Sequence, residues 1–499
     1  MPIRWAPTLG AAIILSSAPA AAEEPSSPAP LAGYQDGFFL RDSRDYFRVY
    51  PRLRLNIDAY GFFGKGLADV PSTDGGVGLA PRLVLRRFRL EIGADFFQRR
   101  VSLLASAELG GQSLANANGK TQQTAARPGQ DPTVTSARYA PVESITSGAA
   151  PADVYINVRV ADELNFMVGQ YQLPFSMENR TSESYTPFME RNVAIRAFVV
   201  PAGKETGVTA WGDLFGGILA YEMGIFGGDG QNRPQVDSNV DFSERLFVRP
   251  LLRHGGALAR TQIGMSARAG IRDAKSIGYD YPQITTAQGF VLWDPTYKDA
   301  SGRTLHVIPS GLQSAVGGEL RVPFGIGAVA GEAYYVTNRT REAVDGYQLT
   351  NTERLGVMRG LGWYGQISFW PVGDTFIGGD PGMTRPRSPD LTKPPEAPKR
   401  GLELIALVGG INARYDATAR GGPADAKTPN APITIYQYAF AATWWTTRAL
   451  RATVNYSIYH TPGSGSADNL AAVPGNLAKT PDPGAHLLHE LSARLALTL

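Results

Sequence analysis

Residues 152–175 read Ala-Asp-Val-Tyr-Ile-Asn-Val-Arg-Val-Ala-Asp-Glu-Leu-Asn-Phe-Met-Val-Gly-Gln-Tyr-Gln-Leu-Pro-Phe. From 153 to 160, aliphatic residues occupy every even position and polar or aromatic residues occupy every odd one. A period of two places alternate side chains on opposite faces, which predicts a β-strand with one apolar and one polar face. A tight turn at Ala161–Glu163 leads into a second strand, Leu164–Tyr171. A polar run as far as Lys204 then precedes a third strand, Glu205–Gly212.

The same alternation recurs along most of the chain, and an even number of strands is typical of bacterial outer-membrane barrels. The alternating segments number about sixteen and run near 53–59, 88–96, 101–109, 152–160, 164–171, 205–212, 217–226, 242–251, 260–270, 312–322, 326–336, 360–370, 400–415, 433–446, 449–461 and 487–499. The last one reaches Leu499, as expected of a strand that closes a barrel against the first.

The connections between these segments alternate in length. Short ones lie at 98–99, 161–163, 213–216, 323–325 and 447–448, and long ones lie at 110–151, 172–204, 271–311, 337–359 and 462–486. Short periplasmic turns that alternate with long external loops are typical of a transmembrane barrel. Pro371–Lys399 is the exception, since its position predicts a turn but it is long and rich in proline. It is either a periplasmic excursion or a place where the strand count slips. The predicted fold is all-β, a 16-stranded antiparallel transmembrane β-barrel.

The composition excludes several classes of protein. The 499 residues include no cysteine, which excludes a disulfide scaffold, a thiolate metal site and a cysteine nucleophile. The formal net charge of +3 gives no reason to expect a nucleic-acid partner. The five histidines have no HExxH-type partner, and no G-x-S-x-G elbow or phosphate-binding loop occurs. We therefore predict no enzymatic activity, no cofactor and no metal site.

The N-terminus has the features of a secretory signal peptide. Arg4 supplies the positive flank, Ala11–Leu15 the apolar centre, and Ala20–Ala22 a cleavage site of small residues. We expect a signal peptide at 1–22, a leader and the start of the folded region at 23–46, and the barrel at 47–499.

Two motifs resemble the core of a known family. Val-Gly-Gln-Tyr-Gln-Leu-Pro-Phe at 168–175, followed by Phe-Met-Glu-Arg-Asn at 188–192, is similar to the "VGQ…PF…ERN" pattern of the phosphate-selective porin O/P family. Looser similarities follow in the family's order at 224–228, 362–374, 400–404 and 442–456. The resemblance implies a homotrimeric porin in the outer membrane of a Gram-negative bacterium. It also implies that the loop at about 172–204 folds into the barrel and narrows the pore.

Charged side chains are the candidate site residues on this interpretation. Those in the constriction loop are Glu178, Arg180, Glu183, Glu190, Arg191, Arg196 and Lys204. Basic residues on the polar, lumen-facing side of the strands are Arg52, Arg54, Arg87, Arg89, Arg159, Arg245, Arg249, Arg268 and Arg451. Guanidinium groups suit phosphate and carboxylate geometry, and rings of basic residues select anions. The alternative for each arginine is a structural ion pair across the wall.

The predicted function is a water-filled channel for passive diffusion of small anions, with phosphate or polyphosphate as candidates. Phosphate-specific relatives carry a lysine just before the "ERN" motif, and Thr181–Tyr185 contains none. The resemblance therefore implies a pore more firmly than it implies phosphate. The predicted partners are outer-membrane lipid and anionic solutes. A general or organic-solute porin is the main alternative, followed by a barrel enzyme and a soluble β-sandwich.

Overall fold

Sixteen antiparallel strands form a closed barrel in the computed structural model. The structure describes residues 31–35, 37–64, 79–110, 150–196, 203–232, 235, 237–273, 281, 284–293, 297–298, 304–344, 352–373, 382, 400–419, 431–462 and 487–499. The strands are β1 (Phe47–Phe63), β2 (Arg82–Phe96), β3 (Val101–Glu108), β4 (Ala150–Arg159), β5 (Asn165–Gln172), β6 (Lys204–Leu214), β7 (Leu219–Phe226), β8 (Asp241–Val248), β9 (Gln262–Arg272), β10 (Thr304–Phe324), β11 (Gly327–Val344), β12 (Thr352–Gly373), β13 (Gly401–Ala419), β14 (Ala431–Trp445), β15 (Leu450–His460) and β16 (Leu487–Thr498). The predicted fold class is confirmed.

The barrel closes between its last and first strands. β16 pairs with β1 from His489 opposite Phe63 to Thr498 opposite Arg54. Leu499 extends the pairing, because its N–H donates to the carbonyl of Leu53 at 2.9 Å and its carbonyl accepts from Leu53 at 3.0 Å. Closure satisfies the backbone groups of both strands, as a sheet that crosses hydrocarbon requires.

The two faces of the strands differ in the way a membrane barrel requires. On β4, Val154 and Ile156 are 41% and 47% exposed, whereas Tyr155 and Asn157 are 5% and 4% exposed. The exposed residues of the other strands are likewise mainly apolar and point outward to lipid, and most charged residues of the strands are buried inside the barrel. Within the described residues, no helix is both long enough and apolar enough to cross a membrane.

Adjacent aromatic residues on the strands divide between lipid and lumen. In the pairs 334–335 and 444–445, Tyr335 and Trp444 are exposed, while Tyr334 and Trp445 are buried in the barrel. Successive side chains of a strand point to opposite faces, so only one member of each pair can reach the headgroup level.

The connections mostly follow the predicted alternation, with one correction. Turns at 97–100, 160–164, 215–218, 325–326 and 446–449 are short and mark the periplasmic side. The loops predicted at 271–311 and 337–359 are partly strand, because β10, β11 and β12 continue beyond the membrane and leave only 345–351 between β11 and β12. Buried ion pairs stabilise this extension: on these strands, Arg354 Nε lies 2.6 Å from Glu342 Oε2.

The N-terminal region adds a small hairpin outside the barrel. Ala32–Tyr34 pairs with Phe38–Arg41, which in turn pairs with the start of β1. The first strand of the barrel begins at Phe47. The predicted signal peptide lies outside the described residues.

Candidate functional site

The loop between β5 and β6 crosses the lumen and contacts the wall on the far side. The backbone N–H groups of Met177 and Glu178 donate to the carboxylate of Glu332 on β11, at 2.9 and 2.8 Å. The N–H of Val193 donates to Gln437 on β14 at 3.1 Å. Residues 173–196 and 203 are the described part of this constriction loop. Its two backbone attachments show that the loop spans the barrel.

A buried ion pair and an aromatic contact fix the base of the loop. Arg180 forms a two-pronged pair with Glu222 on β7, with Nε and Nη2 donating over 2.8 and 3.1 Å. Both side chains are at most 2% exposed. Phe175, fully buried, packs against Tyr334 with ring centroids 6.0 Å apart.

Just before the loop, Gly169 has φ +136°, and a Cβ there would lie 2.2 Å from a backbone oxygen of β4. Glycine is therefore required in the "VGQ" motif.

Glu190 of the "ERN" motif anchors the far side of the loop. Its Oε1 lies 2.5 Å from Nη2 of Arg494 on β16 and 3.5 Å from both Arg86 and Arg87 on β2. Burial opposes its ionisation, but Arg87, Arg86 and Arg494 outweigh burial and lower the pKa of Glu190 below its usual range. The structure therefore brings one carboxylate among three guanidinium groups.

Glu183 makes a second such contact nearer the centre of the loop. It lies 3.2 Å from Arg87, 3.6 Å from Arg89 and 3.4 Å from Arg191. Burial works against ionisation here too, but Arg87, Arg89 and Arg191 hold the pKa of Glu183 well below its usual range. Arg451 donates to the backbone carbonyls of Glu183 and Thr186 at 3.1 and 3.2 Å. This part of the loop is thus held by side chains from β2, near the start of the barrel, and from β15, near its end.

The sequence did not single out Arg86, although it carried a signal for it. On β2, residues 83–85 are all apolar, and the alternating apolar positions after them are 88, 90 and 92. The phase of the alternation therefore changes at Arg86-Arg87. The structure has a register shift there, with Asn56 opposite Arg87 and Ile57 opposite Leu85. A β-bulge lets neighbouring residues share a face, so both arginines reach Glu190.

The other predicted wall residues fall into three places. Arg54 lies 3.0 Å from Glu91, and Arg89 lies 2.9 Å from Glu108, both beside the loop. Two others lie on the wall formed by β8–β10. Arg245 pairs with Glu319 at 2.7 Å, and Arg268 approaches Asp241 at 3.7 Å. The remaining three, near the periplasmic end, are Arg52, Arg159 and Arg249.

Two of these three arginines, and the loop cations Lys204 and Arg196, each have fewer contacts to describe. The side chain of Arg159 is half exposed and pairs with Asp162 in the adjoining turn. Arg249 stacks on Phe247 at 5.3 Å. At the end of the loop, Lys204 Nζ lies 2.8 Å from Asp153. Arg196 is half-buried and lowers the pKa of Glu190 together with the wall arginines.

Glu178 differs from the other loop carboxyl groups because its surroundings favour the neutral form. Burial first, and then the neighbouring Glu332, raise its pKa to about 8, although Asn192 and Arg191 oppose the shift. The Glu178 carboxyl accepts hydrogen bonds from the backbone and side-chain N–H groups of Asn192. At neutral pH the protonated group can lie beside Glu332 without charge repulsion.

We expect the loop to loosen as the pH rises through about 8, the pKa of Glu178. The folded-state pKa is above that of an exposed carboxyl, so the stabilisation is complete at low pH and is lost as Glu178 ionises beside Glu332. Single-channel recordings between pH 6 and 9 should show a larger mean conductance and more open-channel noise on the alkaline side. Glu178→Gln stays neutral and should remove this transition; identical pH profiles for the two proteins would contradict the assignment.

A second inward segment was missed from the sequence. In the connection between β9 and β10, Ile284–Thr285 pairs with Val291–Trp293 as a small hairpin, which we call the upper hairpin. Phe290 lies 5.3 Å from Phe62 of β1, and Gln288 donates to Asp58 of the same strand at 3.4 Å. The hairpin therefore reaches across the lumen from β10 to β1.

The sequence carried an indirect signal for the upper hairpin. On β13 and β14, lumen-facing positions are apolar and buried, including Ile411, Ile433 and Ile435. These residues belong to the same apolar cluster as Ile284 and Trp293. A water-filled lumen would not bury such side chains, so two apolar faces on one strand predict that another segment packs inside.

The proline-rich exception returns to the lumen at Gly382, the one described position between β12 and residue 400. β12 ends at Gly373 and β13 begins at Gly401, so the strand count does not slip. The Gly382 N–H donates to Thr181 Oγ1 of the constriction loop at 2.7 Å, and its carbonyl accepts from Arg245 at 2.6 Å. With φ +72°, a Cβ at Gly382 would lie 2.5 Å from Arg245. This glycine thus contacts both the loop and the wall.

A closed barrel with a loop tied across its lumen by "VGQ…PF" and "ERN" residues is the arrangement that the sequence motifs implied. The family model described as "Phosphate-selective porin O and P" matches residues 60–480, most of the chain. The chain belongs to this family. It is an outer-membrane porin of a Gram-negative bacterium.

Solved structures similar to this porin are outer-membrane barrels at low sequence identity. OmpT of Vibrio cholerae is 8% identical with a TM-score of 0.49, over 91% of this chain and 98% of that one. An anion-selective porin from Comamonas acidovorans is 10% identical with a TM-score of 0.42, over 91% of this chain and 100% of that one. No curated protein matches this porin significantly.

Proposed function

We propose that this porin passes small anions by passive diffusion, with the constriction loop setting the size limit. The observation that supports selectivity is an excess of positive charge where the loop meets β1–β6, β15 and β16. Eight basic side chains and six carboxylates form a network of ion pairs there. The basic residues are Arg54, Arg86, Arg87, Arg89, Arg191, Lys204, Arg451 and Arg494, and the carboxylates are Asp58, Glu91, Glu108, Asp153, Glu183 and Glu190.

This excess favours anions in two ways. A charged, narrow passage with low-dielectric walls raises the local concentration of ions of opposite sign. Guanidinium groups retain further N–H donors when they pair with one carboxylate, because each carries five. An anion that passes Arg54, whose side chain is 18% exposed, can accept hydrogen bonds there in place of water.

The predicted loop and wall arginines serve mainly to hold the loop, on this proposal. Arg180, Arg191 and Lys204 each contact a carboxylate, so phosphate could bind them tightly only by opening those pairs. The absence of a lysine from Thr181–Tyr185 also argues against tight phosphate binding. We therefore propose selectivity for anions as a class, with phosphate as one permeant. The family resemblance supports a homotrimer that acts as a channel without catalysis.

Reversal potentials in a planar bilayer under a KCl gradient test this function. We expect the sign of an anion-selective pore, and a smaller anion preference in Arg54→Gln. The reduction should be roughly fivefold at most, since a unit charge about 4 Å from an ion in water contributes about 1 kcal/mol. Arg159→Gln removes the same charge from the exposed periplasmic turn and is the matched control.

The outcomes separate the alternatives. Cation selectivity of the wild-type protein would overturn the proposal. Anion-selective current that added phosphate blocks at low concentration would instead establish a phosphate subsite, which the paired loop cations argue against. Equal effects of the two arginine variants would show that Arg54 does not face the ion path.

A further inference from the structure

A cavity lies between the constriction loop and the periplasmic ends of β10–β14. Its volume is about 90 Å³, and it is partly open to solvent. Loop residues from Met177 to Pro187 form one side, and the ends of β10–β14 form the other. A solute that passes the loop on this side must cross this chamber.

The chamber is hollow beside β11 because the lumen-facing residues of that strand are small there. Ala328 lies opposite Ser368 in the strand register, and Ala330 lies opposite Gln366. All four line the cavity. Protein interiors are close-packed where side chains can fill the space, so short side chains on neighbouring strands leave a hollow.

Aromatic rings distinguish this chamber from the charged passage above it. Trp370 and Trp445 line it and stack with ring centroids 6.4 Å apart. Tyr185 of the loop and Tyr364 of β12 line it as well. Flat apolar walls of this kind favour solutes that have a flat apolar body.

Three charged residues line the chamber: Arg321, Glu178 and Glu403. Arg321 lies on β10, and Glu403 lies on β13, three strands away in the sheet. Arg451, stacked on Trp445 at 5.0 Å, lies near Glu403. Arg321 carries five N–H donors, and its side chain is part of the chamber lining.

We propose that this chamber is a subsite for small aromatic carboxylates. The carboxylate lies against Arg321, and the ring lies over the small residues Ala328 and Ala330 and against the aromatic wall. The inference rests on the proposed anion function and names the class of organic anion that the pore passes best.

Block of chloride current in planar bilayers tests the subsite, with benzoate, acetate and benzamide as probes. Benzoate should block at about tenfold lower concentration than acetate, since aromatic contacts and ring burial are worth about 1–2 kcal/mol together. Benzamide lacks the charge and should block less well than benzoate. Equal block by benzoate and acetate would overturn the proposal.

Two variants locate the block. Ala330→Leu fills the chamber and should raise the half-blocking concentration of benzoate about tenfold, whereas Ala333→Leu makes the same change on the lipid-facing side of β11. Arg321→Gln should abolish the preference for benzoate over benzamide and serves if Ala330→Leu does not fold. An unchanged benzoate block in folded Ala330→Leu or in Arg321→Gln would refute the site. Reversal potentials in KCl alone report on anion selectivity, so failure of the subsite is distinguishable from failure of the proposed function.

Discussion

Arg180→Ala is expected to lower the free energy of unfolding by about 3–5 kcal/mol, because it leaves a buried carboxylate without its partner. Glu222 is fully buried, and both of its oxygens accept hydrogen bonds from Arg180. Arg180 also donates to the carbonyl of Gln172 at 2.6 Å, where β5 passes into the loop. The substitution therefore removes the contact that fixes the direction in which the loop leaves the wall.

The measurement is denaturant unfolding of the refolded porin in detergent, followed by tryptophan fluorescence, together with single-channel conductance. Conductance should rise in Arg180→Ala, because the loop is no longer held at its base. Arg159→Ala breaks an exposed pair with Asp162 and should change stability by at most about 1 kcal/mol. Equal stabilities of the two variants would show that the Arg180–Glu222 pair does not anchor the loop.

The fold could be predicted because its rules are local. Period-two alternation and short turns are visible in single segments, and the alternation reflects the lipid on one side of the sheet. The strand count follows from adding these segments along the chain. The lengths of β10–β12 were underestimated for the same reason. Beyond the membrane the alternation no longer has to separate lipid from water, so pairs such as Glu342 with Arg354 continue the strands without an apolar face.

The site could be predicted only as far as the motifs reached. The motifs located the loop, and alternation placed Arg87 and Arg451 on the lumen side. Which acid meets which arginine depends on register across the barrel, as in the pairing of Arg494 with Asp58, 436 residues away in the chain. The upper hairpin and Gly382 also enter the lumen. Both lie in connections between strands whose sequences show no hydrophobic period.

The ion pairs give the loop arginines a different meaning from the one that their charge suggests. A lumen arginine counted from the sequence is a candidate anion site, but Arg180 and Arg245 are wholly buried against carboxylates. Selectivity must come from the excess of the whole network and from the exposed members. The carboxylates of the loop therefore control selectivity as much as the arginines of the wall do.

Glu190→Gln should accordingly increase anion selectivity and destabilise the barrel at the same time. The carboxylate neutralises Arg86, Arg87 and Arg494, and its loss raises the excess positive charge of the network by one. Removing one partner from a buried charge cluster costs about 3–5 kcal/mol. Reversal potentials should shift further toward the anion value, and the denaturant midpoint should fall.

Acid should not reproduce this effect in the wild-type protein at pH 5. The pKa of Glu190 is lowered by Arg87, Arg86 and Arg494, so the stabilisation that it provides is present above the pKa of an exposed carboxyl and is lost only in stronger acid. The difference between Glu190→Gln and wild type should therefore be constant from pH 5 to pH 7. Glu163→Gln, in the exposed turn between β4 and β5, removes the same charge where salt screens it and should leave selectivity unchanged. If Glu163→Gln and Glu190→Gln shift the reversal potential equally, the network around the loop does not set the selectivity of the pore.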